Sequence, residues 1–238
     1  MSWHFKMDET ASRRLDGAAP WTQADLLDYL ADLNEQCLEL IAEHLMARAP
    51  FAQSFGHELT DLWRNLDEGA RRRLAACPYL LLDVGFADSW RWHRASASVV
   101  ADREPVQFTS LFSGPQAAIV GRQVFLYAWY LARTRPIIAR MLLGAPAHCV
   151  RLIGACTLRQ IFELAERHPG WLRMRWLDRL PVWRELLTSA ISGEGAAIER
   201  ARMHGLQLLA GDLRVAALGI GGEMQTGTSS ARAARPGS

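Results

Sequence analysis

The sequence predicts a mainly α fold, built of helical units with one or two short strands. Three observations carry that expectation. Apolar residues recur at three- and four-residue steps over most of the chain. Capping residues, prolines and glycines punctuate those stretches. Only two short runs read as strands.

The first helix is expected over residues 22–48. Thr22 is a suitable N-cap, and Asp25 three residues on complements the helix dipole. Leu26, Leu27, Leu30, Leu33, Cys37, Leu40, Ile41 and Leu45 form its apolar stripe, opposite Asp28, Asp32, Glu35, Glu39 and Glu43. A second helix is expected over 57–76, with Leu59, Leu62, Trp63 and Leu66 inward and Pro78 ending it. The run 79–86 is short and apolar and reads as a buried strand. Residues 95–114 mix Ala, Ser, Asp, Pro and Gly and read as a linker.

A third helix should start after Ser113, with Pro115 in its first turn, and run to about Arg133. Pro136 restarts a helix that Gly144 closes. Another covers 147–155. Thr157 and Gln160 have the spacing of a capping box and open the next. Residues 171–176 alternate apolar and basic, as a half-exposed strand does. Pro181 opens a helix to about Ile191, and an amphipathic helix follows over 194–218. Residues 1–19 read as a flexible arm and 219–238, rich in Gly, Ser, Thr, Ala and Arg, as a disordered tail.

A faint internal repeat is present. Each half reads long helix, Arg-containing stretch ending in Pro (Pro50, Pro136), glycine, helices, Leu-Ala, Pro, then a strand-like run. The implied organisation is an acidic helical unit (20–94), a basic helical unit (115–180) and C-terminal helices (181–218). A duplication would relate the first two by a pseudo-two-fold axis.

The charge is divided just as sharply. Residues 1–70 hold thirteen acids and five bases, whereas residues 119–184 hold eleven arginines and three acids, Glu163, Glu166 and Asp178. The formal net charge of +2 averages over two opposite surfaces. Lys6 is the one lysine, so the basic groups are almost all guanidinium, which grips carboxylate and phosphate bidentately and stacks on aromatic rings. A basic segment carrying tryptophans suggests a polyanion or an acidic protein surface as partner.

Signatures of enzyme chemistry are missing: no phosphate-binding glycine loop, no zinc-protease motif, no nucleophile elbow. The non-enzymatic reading follows. Cys37, Cys77, Cys149 and Cys156 are scattered and read as small buried apolar groups; Cys149, Cys156 and His148 lack metal-ligand spacing. No cofactor is expected. His44 and His57 read as solvated or lightly paired. Arg71, Arg72 and Arg73 read as a favourable charge at a helix C-terminus. No apolar run is long enough to span a bilayer, so a cytoplasmic location without membrane contact is expected.

The candidate DNA contacts are Arg151, Arg159, Gln160, Arg167, Arg173 and Arg175. Arg151, Arg159 and Arg167 recur every eight residues over two short helices. Gln160 and Arg159 sit in a first helical turn and are residue types that read base edges. Arg173 and Arg175 share one face of the second strand, opposite Leu172, Met174 and Trp176.

Over residues 119–178 the chain resembles the flagellar transcriptional activator D subunit (FlhD) family. The resemblance lies in Leu126-Tyr127-Ala128-Trp129-Tyr130-Leu131-Ala132-Arg133, in Ala139-Arg140-Met141-Leu142-Leu143-Gly144, and in Thr157-Leu158-Arg159-Gln160-Ile161-Phe162-Glu163-Leu164-Ala165-Glu166 followed by Met174-Arg175-Trp176. The chain departs from the family in its greater length, and Leu172 stands where some members carry a subunit-bridging cysteine. The resemblance implies a cytoplasmic, helical, DNA-associated transcriptional activator that works as a homo- or hetero-oligomer with a second regulatory subunit. The alternative expectation is a protein-interaction adaptor or scaffold whose basic face binds an acidic protein partner.

Overall fold

The structure, a computed structural model, describes residues 22–47, 52–96 and 111–228. The expected arm (1–19), most of the linker and the last ten residues lie outside them. Among the described residues the fold is mainly α, with a single two-stranded sheet. Helix α1 (Gln23–Met46) begins at a complete capping box: the Asp25 amide donates to Thr22 Oγ1, and the Thr22 amide donates to Asp25 Oδ2 at 2.9 Å. Its expected stripe is buried, from Leu26 to Leu45, except that Leu27 is exposed.

The single helix expected over 57–76 is two. Helix α2 (Ala52–Arg64) carries a non-helical Gly56 at φ 70°, and α3 (Glu68–Ala75) starts afresh where Asp67 Oδ1 accepts from the Ala70 amide at 2.6 Å. The carboxylate at the N-cap satisfies a free amide of a new first turn, which favours a restart over a continuous helix. Strand β1 shrinks to Leu82–Asp83, although the run around it is buried as expected. Helix α4 (Ser89–Ser96) occupies residues not expected to be helical and takes in the first two residues of the expected linker.

Helix α5 (Gly114–Thr134) is the central element; α1, α6 (Pro136–Leu143), α7 (Ala147–Ala155) and α8 (Leu158–Arg167) pack on it. Ser113 does not cap it with its side chain. Its amide instead donates to Nε2 of His44, whose Nδ1 faces the Leu40 carbonyl at 2.9 Å. His44 is thus a buried tie between α1 and the start of α5, not a solvated group. The α8 capping box forms as expected, with Gln160 Oε1 accepting from the Thr157 amide at 2.7 Å. A 3-10 turn (Pro169–Trp171) leads into β2 (Arg173–Met174), which pairs antiparallel with β1 through Leu82 opposite Met174 and Asp83 opposite Arg173. The two expected strands are therefore each other's partners.

Helices α9 (Leu180–Ser192) and α10 (Gly195–Thr228) pair with one another, and α9 also packs on α2 and α3. Helix α10 continues past Leu218, where a tail was expected. Side chains from Leu26 to Leu209 form one hydrophobic core, so the acidic and basic units are packed together.

Buried polar side chains fasten the loops of that core. Asn34, fully buried on α1, donates to the carbonyls of Ala75 and Tyr79 at 3.0 and 2.9 Å and accepts from the Leu81 amide at 2.9 Å. It satisfies the segment between α3 and β1, which has no regular ladder of its own. Trp183 Nε1 donates to the Arg175 carbonyl at 2.7 Å, and Tyr127 Oη donates to the Leu26 carbonyl at 3.1 Å. Trp176 takes a left-handed φ of 54°, turning the chain out of β2; for a bulky residue that costs roughly 1–3 kcal/mol, which the packing around it must offset.

Candidate functional site

The six expected DNA contacts do not form one surface. Arg175 is 8 % exposed. Its Nε donates to the Leu80 carbonyl at 2.7 Å and its terminal nitrogen to the Leu143 carbonyl at 3.0 Å. The group knits β2 to the chain before β1 and to the end of α6, so it is withdrawn from any phosphate. Burial lowers its basicity, opposed by the charges of Asp83, Tyr79 and Asp212. Gly144 makes room for it: at φ 64°, a Cβ there would overlap Leu209 and crowd the Arg175 guanidinium.

Arg173, two residues earlier in the chain, is half-buried and its guanidinium lies 3.8 Å from the Asp83 carboxylate of β1. Gln160 spends its carbonyl oxygen on the α8 cap. Arg159 and Arg167 both reach Glu163 of their own helix, at 2.9 and 3.7 Å. The Arg159 hydrogen bond holds the Glu163 carboxyl below its ordinary value. Both arginines remain well exposed, at 88 and 63 %, and such surface pairs hold their partners weakly. Arg151 is exposed on α7 without a carboxylate partner among the described residues. The surviving solvent-facing set is therefore Arg151, Arg159 and Arg167.

A second feature escaped the pattern reading. Helix α6 is apolar nearly all the way round. Ala139, Leu142 and Leu143 fill the core, which leaves Ile137 73 % and Met141 58 % exposed on its outer side. They stand one turn apart and share that side with exposed Arg140. Exposed Arg133 and Arg135 sit at the junction just before Pro136. Arg133 lies over the Trp129 ring at 5.2 Å, and neither it nor Arg140 has a carboxylate partner among the described residues. No acidic residue occurs in the sequence between Arg122 and Arg159. The signal was present: eight residues with six apolar side chains exceed what one buried face of a short helix can use.

Cys149 and His148 form the nearest thing to a reactive pair, with Sγ 3.2 Å from Nε2. Burial pushes the Cys149 thiol up to about 12, and burial with the Arg151 and His93 charges lowers His148. The pair therefore rests as a neutral thiol beside a neutral imidazole, not as the thiolate that nucleophilic chemistry requires. Among the described residues no three metal-ligating side chains converge, and no single helix is long and apolar enough to cross a membrane.

Comparison with family models, with curated proteins and with solved structures gives no match.

Proposed function

We propose that this chain is a non-enzymatic protein-interaction adaptor that docks an acidic protein surface on the outer face of α6. The observation that carries it is the exposed pair Ile137 and Met141 set among Arg133, Arg135 and Arg140. Methionine and arginine are enriched at protein interfaces, where apolar anchors are ringed by charge. Exposed aliphatic anchors add nothing to phosphate contact, whereas they suit an apolar pocket with a carboxylate rim. The partner is accordingly a protein with apolar side chains flanked by Asp and Glu.

A photo-crosslinking amino acid in place of Met141 tests this in the cell of origin. The expected result is a discrete protein adduct that survives nuclease and disappears with Ile137→Asp. Adducts that are nucleic acid, or none at all, would overturn it.

The DNA-associated regulator remains the second reading, favoured by the exposure of Arg151, Arg159 and Arg167 on successive helices. It requires binding to mixed-sequence duplex that falls steeply with salt, because each phosphate contact releases condensed counterions. Neutralising the three arginines would flatten that slope.

A further inference from the structure

Leu27 belongs by its spacing to the buried stripe of α1, yet it is 38 % exposed. Ala31, one turn on, is half-buried. Asp28 and Asp32 are their chain neighbours and are exposed; Glu35 follows one turn later, half-buried. These carboxylates make no ion pair among the described residues. The first half of α1 thus shows two apolar side chains one turn apart with acids along their flank.

Helix α6 repeats that layout with the sign reversed. Ile137 and Met141 are also four residues apart, with exposed Arg140 beside them and exposed Arg133 just before the helix. Helices that pack side by side set one row of i, i+4 side chains against another. Leu27 and Ala31 can therefore lie on Ile137 and Met141 while guanidinium groups meet carboxylates.

The two faces belong to one end of the molecule. Helix α1 runs antiparallel to α5. Its start lies beside Tyr127, whose Oη donates to the Leu26 carbonyl at 3.1 Å, and its end meets Ser113 through His44. The start of α1 is thereby carried toward the end of α5 from which α6 departs. Within one copy, no ion pair joins Asp28, Asp32 or Glu35 to Arg133 or Arg140.

We propose that the partner docked on α6 is a second copy of this chain, presenting the Leu27–Glu35 face of its α1. The inference rests on the adaptor reading and names the occupant of that site. Its ground is charge complementarity: the chain itself carries the apolar side chains flanked by acids that the α6 face requires. Across a two-fold axis each α6 meets the α1 of the other copy, so both contacts form together. Faces this short bury less than a standard interface, which sets a Kd on the order of 10 μM.

Sedimentation of the purified full chain tests it. The wild type should pass from one chain to two over about 1–100 μM. One variant carries Arg133→Glu and Arg140→Glu, and another carries Asp28→Arg and Asp32→Arg. Each alone sets like charges face to face and should stay single at the top of that range. Mixed in equal amounts they should pair, because one contact is then native and the other is reversed in both signs. That recovery also shows that both variants are folded. A wild type that stays single, variants that pair as the wild type does, or a mixture that fails to pair would each overturn the proposal. The adaptor reading fails separately. A Met141 adduct with a different protein would overturn self-pairing and leave that reading standing, whereas a single-chain wild type with no protein adduct at Met141 would overturn both.

Discussion

Replacing Asn34 by Ala tests whether one buried amide holds the chain between α3 and β1. Asn34 is fully buried, and both ends of its side chain are used. Alanine leaves the Leu81 amide without an acceptor, in a segment that is itself fully buried. An orphaned buried donor costs about 1–3 kcal/mol. The Ala75 and Tyr79 carbonyls each lose a bond of normal length, at about 1 kcal/mol apiece, whereas the Cys77 carbonyl at 3.4 Å loses little. The sum is about 4 kcal/mol, or some 8–16 °C in Tm for a chain of this size. Urea unfolding followed by circular dichroism measures it directly. A second variant gives the argument a sign. Asn34→Asp places an ionised carboxylate against carbonyl oxygens in the same dry site, which raises its folded pKa above the unfolded value of about 3.9. Its penalty is absent below that pH and grows as pH rises, so Asn34→Asp should lose stability between about pH 4 and 7 relative to Asn34→Ala. A loss below about 1 kcal/mol for Asn34→Ala, or a pH-independent difference between the variants, would refute the reasoning.

Two further outcomes are expected. Arg175→Met should lower stability by about 3 kcal/mol in urea, because the Leu80 and Leu143 carbonyls lose a charged donor; wild-type stability in that variant would return Arg175 to the surface set. The chain should also unfold readily in base: burial pushes the Cys77 and Cys156 thiols up to about 11 and Cys149 up to about 12, so these groups stabilise the fold fully below the ordinary thiol value of 9.0 and lose that contribution as pH climbs through 11–12. Urea midpoints that do not move between pH 8 and about 10.5 would contradict it.

The sequence was legible wherever the determining contacts are local. Thr22 with Asp25 and Thr157 with Gln160 are three residues apart, and both boxes form as read. Gly144 ends α6 for a reason visible in the chain. Misreadings occurred where two local signals competed. The apolar spacing of Leu59, Leu62, Trp63 and Leu66 runs on smoothly, but Asp67 captures the Ala70 amide and starts a new helix. The site residues failed for another reason. Arg173 and Arg175 look equivalent, two residues apart in an alternating run. Their fates are decided by groups far along the chain: Asp83 for one, and the carbonyls of Leu80 and Leu143 for the other. Alternation identifies the shared face of a strand but not what covers it. Ser113 and His44 repeat the lesson, because the Ser113 side chain looks like a cap and makes no cap bond, while its backbone amide donates to the His44 imidazole 69 positions away.

The divided charge takes on a different meaning once the contacts are known. Opposite blocks in one chain suggest halves held together by ion pairs. Few such pairs cross the boundary: Arg173 with Asp83, and Arg184 with Glu58 at 2.9 Å, both partly or largely exposed. Four arginines of the basic segment are answered from the same side of the sequence: Arg122 by Glu166, Arg159 and Arg167 by Glu163, and Arg179 by Asp178 and by Asp212 of α10. Asp28, Asp32, Glu35, Glu39 and Glu43 follow one stripe of α1 and make no ion pair among the described residues. Like charges one turn apart cost a helix a few tenths of a kcal/mol each, so that stripe opposes the helix that carries it. The halves are joined by the apolar core and by Asn34, His44 and Arg175 bonding to backbone, none of which needs opposite net charge. The acidic stripe and the basic α6 face are thereby left to act outward. Such fields speed encounter with a complementary surface and repel the wrong one, which serves an adaptor better than it serves the stability of its own fold.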